Sequence, residues 1–130
     1  MPRSPTAPKS PERARAERQG RRAETIAALW FNCRFYRVIE KRYKTPVGEI
    51  DLIVRRGRSI VFVEVKTRGS AAGEGNALAS VNRQRLVRAA DYFRARHPRL
   101  ADHPMRFDVF FLAPGTWPRH VRNAFSATGF

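Results

Sequence analysis

The sequence contains one cysteine, few acids and no long apolar run, and each shortage excludes a class of protein. A single cysteine in 130 residues cannot form an internal disulfide, so a reducing, cytoplasmic setting is expected. No stretch approaches the roughly 18 consecutive apolar residues of a membrane helix, so no membrane association is expected. The first 20 residues are charged and lack an apolar core, which a secretory signal would need.

Acidic residues are scarce relative to basic ones. The chain has 26 Lys and Arg against 11 Asp and Glu, a net charge of +15. Residues 1–22 hold seven basic and two acidic residues, which leaves +10 for the rest of the chain. A basic body favours a polyanionic partner, and nucleic acid, DNA first, is the commonest. A genome that favours arginine codons would explain arginine over lysine but not the shortage of acids.

Local patterns predict an α/β fold with a central mixed β-sheet flanked by helices. Residues 1–12 are predicted to be a disordered basic tail and residues 13–130 a single domain. Apolar periodicity and capping residues predict helices from about Pro11 to Phe31 and from Ser80 to about Arg96. Strands are predicted at Phe35 to Tyr43, Glu49 to Arg56, Ser59 to Thr67 and Arg106 to Leu112, followed by a short final element.

A hairpin between two of these strands organises the acids. Gly57-Arg58 suits a two-residue turn, which would place Arg56 opposite Ser59. The same register places Asp51 directly opposite Glu64, and alternation puts both side chains on one face of the sheet. Opposed residues have Cβ atoms roughly 5 Å apart, so two carboxylates there repel each other.

The same register makes two further predictions. It places Glu49 opposite Lys66 and puts Ile50 on the face that carries Leu52. Charges therefore gather at one end of one face of two otherwise apolar strands. A Glu49–Lys66 ion pair, or arginines such as Arg42 and Arg68 next to the acids, is the structural alternative to a functional site.

A hard divalent cation would relieve the repulsion between Asp51 and Glu64. Mg²⁺ binds carboxylate oxygens and retains waters and substrate phosphates. Lys66, two residues after Glu64, can orient a water or neutralise charge on a phosphate. This combination is typical of metal-dependent phosphodiester cleavage, with Mg²⁺ or Mn²⁺ as the expected cofactor.

With Glu24, Asp51 and Glu64-Val65-Lys66 in this order, the chain resembles the PD-(D/E)XK nuclease superfamily. "GEIDLI" and "FVEVKTR" resemble the YraN-like family of small uncharacterised bacterial proteins most closely, with "GRRAE", "RFDV" and "NAF" as weaker matches. The resemblance implies a restriction-endonuclease-like core, so that residues 13–130 form a nuclease-like domain. Resolvase-like relatives also suggest a homodimer.

The resemblance implies a role for each residue that matches the motif. Asp51, Glu64 and Glu24 would be metal ligands, and Lys66 the catalytic lysine, all four forming the catalytic set. Glu49 and Gln84 would support the site.

Arginines outside the motif are predicted to contact phosphates. These are Arg42, Arg68, Arg83 and Arg88, although for Arg83 and Arg88 a solvated helix face is an equal alternative. Asp108, in the apolar stretch "RFDVFF", is predicted to pair with an arginine, to cap an element or to brace the site. The sequence therefore predicts a metal-dependent endonuclease that binds DNA. The alternatives are a non-catalytic nucleic-acid-binding module that partners a DNA-processing protein, and a basic structural or ribosome-associated protein.

Overall fold

The computed structural model describes residues 10–67 and 83–125, apart from the side chains of residues 13–20. Two α-helices, α1 (Pro11–Asn32) and α2 (Arg83–Arg96), are joined to five strands in the described residues. The strands are β1 (Arg37–Thr45), β2 (Gly48–Arg56), β3 (Ser59–Lys66), β4 (Met105–Phe111) and β5 (Arg119–Phe125). The predicted α/β fold with a mixed sheet between helices is confirmed.

The five strands form one sheet in the order β1-β2-β3-β4-β5. Strands β3 and β4 are parallel, whereas the other neighbours are antiparallel. A parallel pair needs a crossover connection, and α2 lies in that connection. The short element predicted at the C-terminal end is the strand β5, which forms an edge of the sheet beside β4.

A helix covers each face of the sheet, which explains why β2 and β3 are apolar on both sides. Helix α1 packs Ala27, Ala28 and Phe31 against one face, on a cluster that includes Leu52 and Val63. Helix α2 packs its buried residues against the other face, on a cluster that includes Ile53 and Phe62. Because both faces are covered, any charge placed on these strands must lie near an end of the sheet to reach solvent.

The turn that ends α1 displaces the start of β1 from its predicted position. Phe35 has a φ of 69° and is 87% exposed. Its N–H donates to the Asn32 carbonyl, and the Tyr36 N–H donates to the Phe31 carbonyl, a helix-ending arrangement. The prediction of a strand from Phe35 is wrong, because these amides are bonded to the helix, and β1 begins at Arg37.

Some predictions fall outside the described residues. Residues 1–9 and 126–130 are among them, so the predicted tail and domain boundary stay predictions, although α1 begins at Pro11 as expected. The predicted second helix is described from Arg83 onward. Of the helices in the described ranges, neither has the length and apolar content needed to cross a bilayer.

Candidate active site

The β2–β3 hairpin has the predicted register, but its ladder ends just before the acids. Backbone pairing runs from Arg56 opposite Ser59 to Leu52 opposite Val63. Beyond that point, the Val65 N–H donates to Oδ2 of Asp51 at 2.8 Å. The predicted direct backbone pairing of Asp51 with Glu64 is wrong in this detail, because the Asp51 carboxylate accepts a bond from the neighbouring strand. The two carboxyl groups still meet, close enough for each to shift the pKa of the other.

An irregularity in β1 and β2 accompanies this change. The β1–β2 ladder pairs Lys41 with Leu52 and Tyr43 with Ile50, and includes neither Arg42 nor Asp51. Arg42 has a φ of 51°, a left-handed conformation that interrupts strand alternation. On β2, Ile50 packs in the α2-side cluster and not with Leu52, so the alternation of side chains is also broken between these two residues. The prediction that these two residues share a face is wrong.

The predicted opposition of Glu49 and Lys66 is also wrong. The β2–β3 ladder ends at Leu52 and Val63, before it reaches these two residues, and the partner of Glu49 in the β1–β2 ladder is Lys44. Lys66 instead lies with its Nζ 3.9 Å from Oε1 of Glu64. Their side chains are 24% and 20% exposed, and a partly exposed pair at this distance contributes at most about 1 kcal/mol.

The electrostatics of the two facing carboxyl groups are unfavourable without a cation. Burial, and then the charge of Asp51, raise the pKa of Glu64 to about 8, and Lys66 offsets this only in part. Burial also raises the pKa of Asp51, against the lowering effect of the Val65 N–H and of Glu64. At neutral pH the pair therefore retains a proton between its carboxyl groups. A bound cation would take the place of that proton.

Glu24, the third predicted ligand, is paired with Arg42 and lies near enough to Asp51 for its charge to raise the pKa of Asp51. It lies on α1, and its carboxylate accepts a hydrogen bond from Nε of Arg42. Within residues 10–67 and 83–125, no three His, Cys, Asp or Glu side chains come together as a metal-binding group. Asp51 and Glu64 alone fit Mg²⁺, which often takes one or two protein carboxylates and completes its shell with waters and phosphates. Glu24 as a ligand and Arg42 as a phosphate contact stay predictions.

The remaining predicted residues lie on or beyond α2. Gln84, Arg83 and Arg88 are exposed on the helix, and the Arg83 guanidinium carbon is 5.6 Å from the centre of the Phe125 ring. Arg68 lies outside the described residues. The support predicted for Gln84 and the phosphate contacts predicted for these arginines are not tested by the structure.

Sequence reasoning missed the contact between Arg85 and Gly48. Two carbons of the Arg85 side chain lie 2.6 and 2.7 Å from where a Cβ of Gly48 would be, and Gly48 has a φ of +155°. A larger residue would push Arg85 away, so glycine lets α2 approach the start of β2. The signal was present as the glycine of "GEID", but nothing in the sequence indicated its partner.

Asp108 is the acid of a second polar cluster, which lies on the α1 side of β4. The Arg106 guanidinium donates to its two carboxylate oxygens at 2.9 and 3.0 Å, and the Asn123 N–H donates at 2.9 Å. Nε2 of His120 lies 2.6 Å away. Burial alone would raise the pKa of Asp108, but bonds from His120, Arg106 and Asn123 outweigh it and leave the pKa lowered. The predicted pairing of Asp108 with an arginine is confirmed.

Comparison with known proteins gives consistent matches. The model of the uncharacterised protein family UPF0102 matches residues 23–112, a range that includes Glu24, Asp51, Glu64 and Lys66. A UPF0102 protein of Parvibaculum lavamentivorans is 49% identical over 109 residues, 84% of this chain and 82% of the relative. One from Bradyrhizobium diazoefficiens is 44% identical over 119 residues, 92% and 90% of the two chains. These matches support kinship with an uncharacterised family and do not test the placement in a nuclease superfamily.

Proposed function

The chain belongs to the uncharacterised protein family UPF0102, and we propose that it is a Mg²⁺- or Mn²⁺-dependent, endonuclease-like protein that binds DNA. The observation that carries the proposal is the meeting of Asp51 and Glu64, two partly buried carboxyl groups with raised pKa values. Without a cation, the two groups lie side by side at neutral pH because they retain a proton, which a metal ion would replace. The protein has a net charge of +15, so many cationic side chains could have neutralised these carboxyl groups. Among the described ion pairs, however, the partner of Glu64 is Lys66, the lysine of the motif.

Each residue of the site would have a separate role in phosphodiester cleavage. A divalent cation on Asp51 and Glu64 supplies Lewis-acid polarisation of a phosphate oxygen and a more acidic bound water. The Val65 N–H fixes Oδ2 of Asp51 and thereby orients the carboxylate. The Lys66 ammonium, beside Glu64, is placed to donate a hydrogen bond to a phosphate oxygen or to the attacking water.

The fold agrees with what the resemblance to PD-(D/E)XK nucleases implies. An antiparallel hairpin carries the acids, β4 joins it in parallel, and a helix covers each face. We include in the proposal a restriction-endonuclease-like core, a cytoplasmic location and a homodimer, as the resemblance and composition suggest.

Metal binding can be tested by thermal melting during titration with MgCl₂ or MnCl₂. We expect the metal to stabilise the wild type, by about 2.7 kcal/mol at 100 times the dissociation constant. Asp51→Asn should lose this stabilisation, because it removes a ligand oxygen charge. Asp102→Asn, the same chemical change at a side chain 80% exposed, is the matched control and should retain it. Equal stabilisation of both variants would contradict the proposal.

Cleavage can be tested on branched, nicked, duplex and single-stranded DNA with Mn²⁺. We expect Lys66→Ala to abolish cleavage of whichever substrate is cut, and Lys44→Ala, opposite Glu49 on the exposed edge strand, to leave it unchanged. Activity that survives in Lys66→Ala would have to come from a contaminating nuclease.

A non-catalytic nucleic-acid-binding module is the second candidate, and the Glu24–Arg42 ion pair favours it. In that pair the carboxylate of Glu24 is neutralised by an arginine of the chain and not by a metal ion. In this case DNA binding would be unaffected by Asp51→Asn, and no metal would support cleavage of any substrate. Binding and cleavage measured on the same preparations distinguish the two candidates.

A further inference from the structure

A basic cleft lies at the other end of β2, away from the acids. Its volume is about 570 Å³, and its lining includes Arg55, Arg96, Arg99, His97 and His103. These residues come from the end of β2, the end of α2 and the segment that leads into β4. We propose that this cleft binds a backbone phosphate of the polynucleotide, an assignment that depends on the proposed function for the identity of the ligand.

Two of the three arginines of the cleft, Arg55 and Arg96, are held in place without losing their charge. Nε of Arg55 donates to the Gly57 carbonyl at 2.9 Å, and the Arg96 guanidinium carbon is 5.1 Å from the centre of the Tyr92 ring. Within the described parts of the chain, no carboxylate forms an ion pair with Arg55, Arg96 or Arg99. Guanidinium groups in fixed positions match phosphate oxygens in geometry as well as in charge.

The negative charges around the cleft are too few to cancel the arginines. Asp102 is paired with Arg58 at 3.7 Å, and Glu40 lies opposite Ile53 in the β1–β2 ladder. Neither residue lines the cleft. The C-terminal end of α2 adds roughly half a negative charge, and its Phe93 and Arg94 carbonyls are already bonded to His97. Three positive charges outweigh this, so the cleft attracts an anion.

Both histidines are oriented by backbone carbonyls. Nδ1 of His97 lies 2.8 Å from the Phe93 carbonyl, and Nδ1 of His103 lies 3.0 Å from that of Arg58. Because a carbonyl oxygen only accepts, each Nδ1 carries the hydrogen, and Nε2 is the nitrogen that can gain a proton and donate to an anion. His97 also stacks on Phe93 at 3.9 Å, so its orientation is set before any ligand arrives.

The cleft and the acid pair are close enough for one duplex to reach both. Asp51 and Arg55 are four residues apart on β2, which corresponds to about 13 Å. Helix α2 packs over Ile53 between them, so a bound strand would pass around the helix and not along β2. Successive phosphates of one duplex strand advance by about 3.4 Å along the axis, so a duplex of about 16 base pairs is long enough to contact both sites.

Fluorescence anisotropy with a labelled DNA duplex of about 16 base pairs tests the cleft, with EDTA present to exclude metal. We expect Arg55→Gln and Arg99→Gln each to weaken binding about five- to tenfold at low salt, and to reduce the salt slope by about 0.9. Arg122→Gln is the matched control, because Arg122 is exposed on β5, three strands from β2. It should change affinity less than twofold.

Results of three kinds would overturn the assignment: no binding of DNA by the wild type, unchanged binding by both cleft variants, or equal weakening by Arg122→Gln, which would indicate net charge alone. Melting curves of all variants confirm that they fold. Comparing 5′-phosphorylated with 5′-hydroxyl DNA separates the sources of the phosphate. An Arg99→Gln effect limited to phosphorylated DNA assigns the cleft to a strand end, and an equal effect assigns it to internal phosphates.

The outcome is independent of the metal site. If the metal titration fails and the cleft variants still weaken binding, the nuclease proposal is wrong and the phosphate cleft stands. If the metal stabilises the wild type and the cleft variants bind normally, the cleft proposal is wrong and the metal site stands.

Discussion

Asp108 on β4 and the Asp51–Glu64 pair on β2 and β3 lie in one sheet. They differ in how the charge of each carboxylate is satisfied. Asp108 lies beside Val63, and Glu64 beside Val109, in the parallel β3–β4 ladder. Asp108 has four polar contacts within hydrogen-bond distance, including the guanidinium of Arg106. Asp51 and Glu64 have each other, one backbone N–H and a lysine at 3.9 Å.

The difference appears in the pKa values. The pKa of Asp108 is lowered by its donors although burial opposes them. Burial raises the pKa values of both Asp51 and Glu64, and the charge of Asp51 raises that of Glu64 further. Among residues 10–67 and 83–125, the chain thus satisfies one buried carboxylate with several donors and gives the other two fewer. Strain of this kind is concentrated at functional sites, because a ligand can relieve it.

The largest expected effect on stability comes from removing the charge of Asp108, the carboxylate that is fully bonded within the protein. Asp108→Asn leaves Arg106 and His120 buried without their carboxylate, and we expect a loss of about 4 kcal/mol in the free energy of unfolding. Urea denaturation at pH 7 measures it. Asp102→Asn, on the surface, should cost less than about 0.5 kcal/mol. A small loss in Asp108→Asn would mean that the two acidic groups do not differ as described.

The stability that Glu64 contributes should depend on pH in the direction opposite to that of Asp108. The pKa of Glu64 is raised in the folded protein from its ordinary 4.5 to about 8. Its stabilising contribution is therefore complete below pH 4.5 and is lost as the pH rises through 8. In EDTA, we expect the wild type to lose about 2 kcal/mol between pH 5 and pH 9, a part of the full shift because Glu64 keeps some solvent contact.

Glu64→Gln isolates this contribution. The variant cannot ionise at this position, so its stability should change much less over the same range. Asp108 contributes in the other direction, since its lowered pKa stabilises the fold above its ordinary 3.8 and that contribution is lost as the pH falls through the folded value. Parallel pH profiles for the wild type and Glu64→Gln would contradict the raised pKa.

A smaller effect should follow from freeing Glu24. Arg42→Gln removes the partner of Glu24, and we expect a loss of about 1 kcal/mol in metal-free stability. Because Glu24 also raises the pKa of Asp51, its negative charge should then act on a bound cation, and the midpoint of the Mg²⁺ titration should fall severalfold. Lys41→Gln, an exposed neighbour on β1, is the control. An unchanged or higher midpoint would exclude Glu24 from the metal site.

Glu49 should matter least. It is exposed and lies opposite Lys44, so Glu49→Gln should change the free energy of unfolding by less than about 0.5 kcal/mol. Its charge contributes to the raised pKa values of Asp51 and Glu64, and the variant should lower the pH at which metal-free stability declines. Carboxyl chemical shifts followed by NMR measure that change; loss of metal binding in Glu49→Gln would instead make Glu49 a ligand.

Prediction from the sequence succeeded where short-range patterns decide the structure. The Gly57-Arg58 turn and the alternation of strand residues determine the β2–β3 register, and with it the meeting of Asp51 and Glu64. Prediction failed at Phe35, Ile50 and Glu49. At Phe35 the helix-ending bonds of α1 replace strand pairing, and Ile50 and Glu49 lie beyond the point where the β2–β3 ladder ends.

By itself, the amino-acid sequence determined which two acids would meet, because a two-residue turn and the two-residue period of a strand are local properties of the backbone. Only the tertiary structure decided what surrounds them. Arg42 bonds to Glu24 because α1 lies across β1, and the arginines of the basic cleft converge because α2 ends beside β2. Contacts between residues distant in sequence depend on how whole elements pack, and no local pattern encodes that packing.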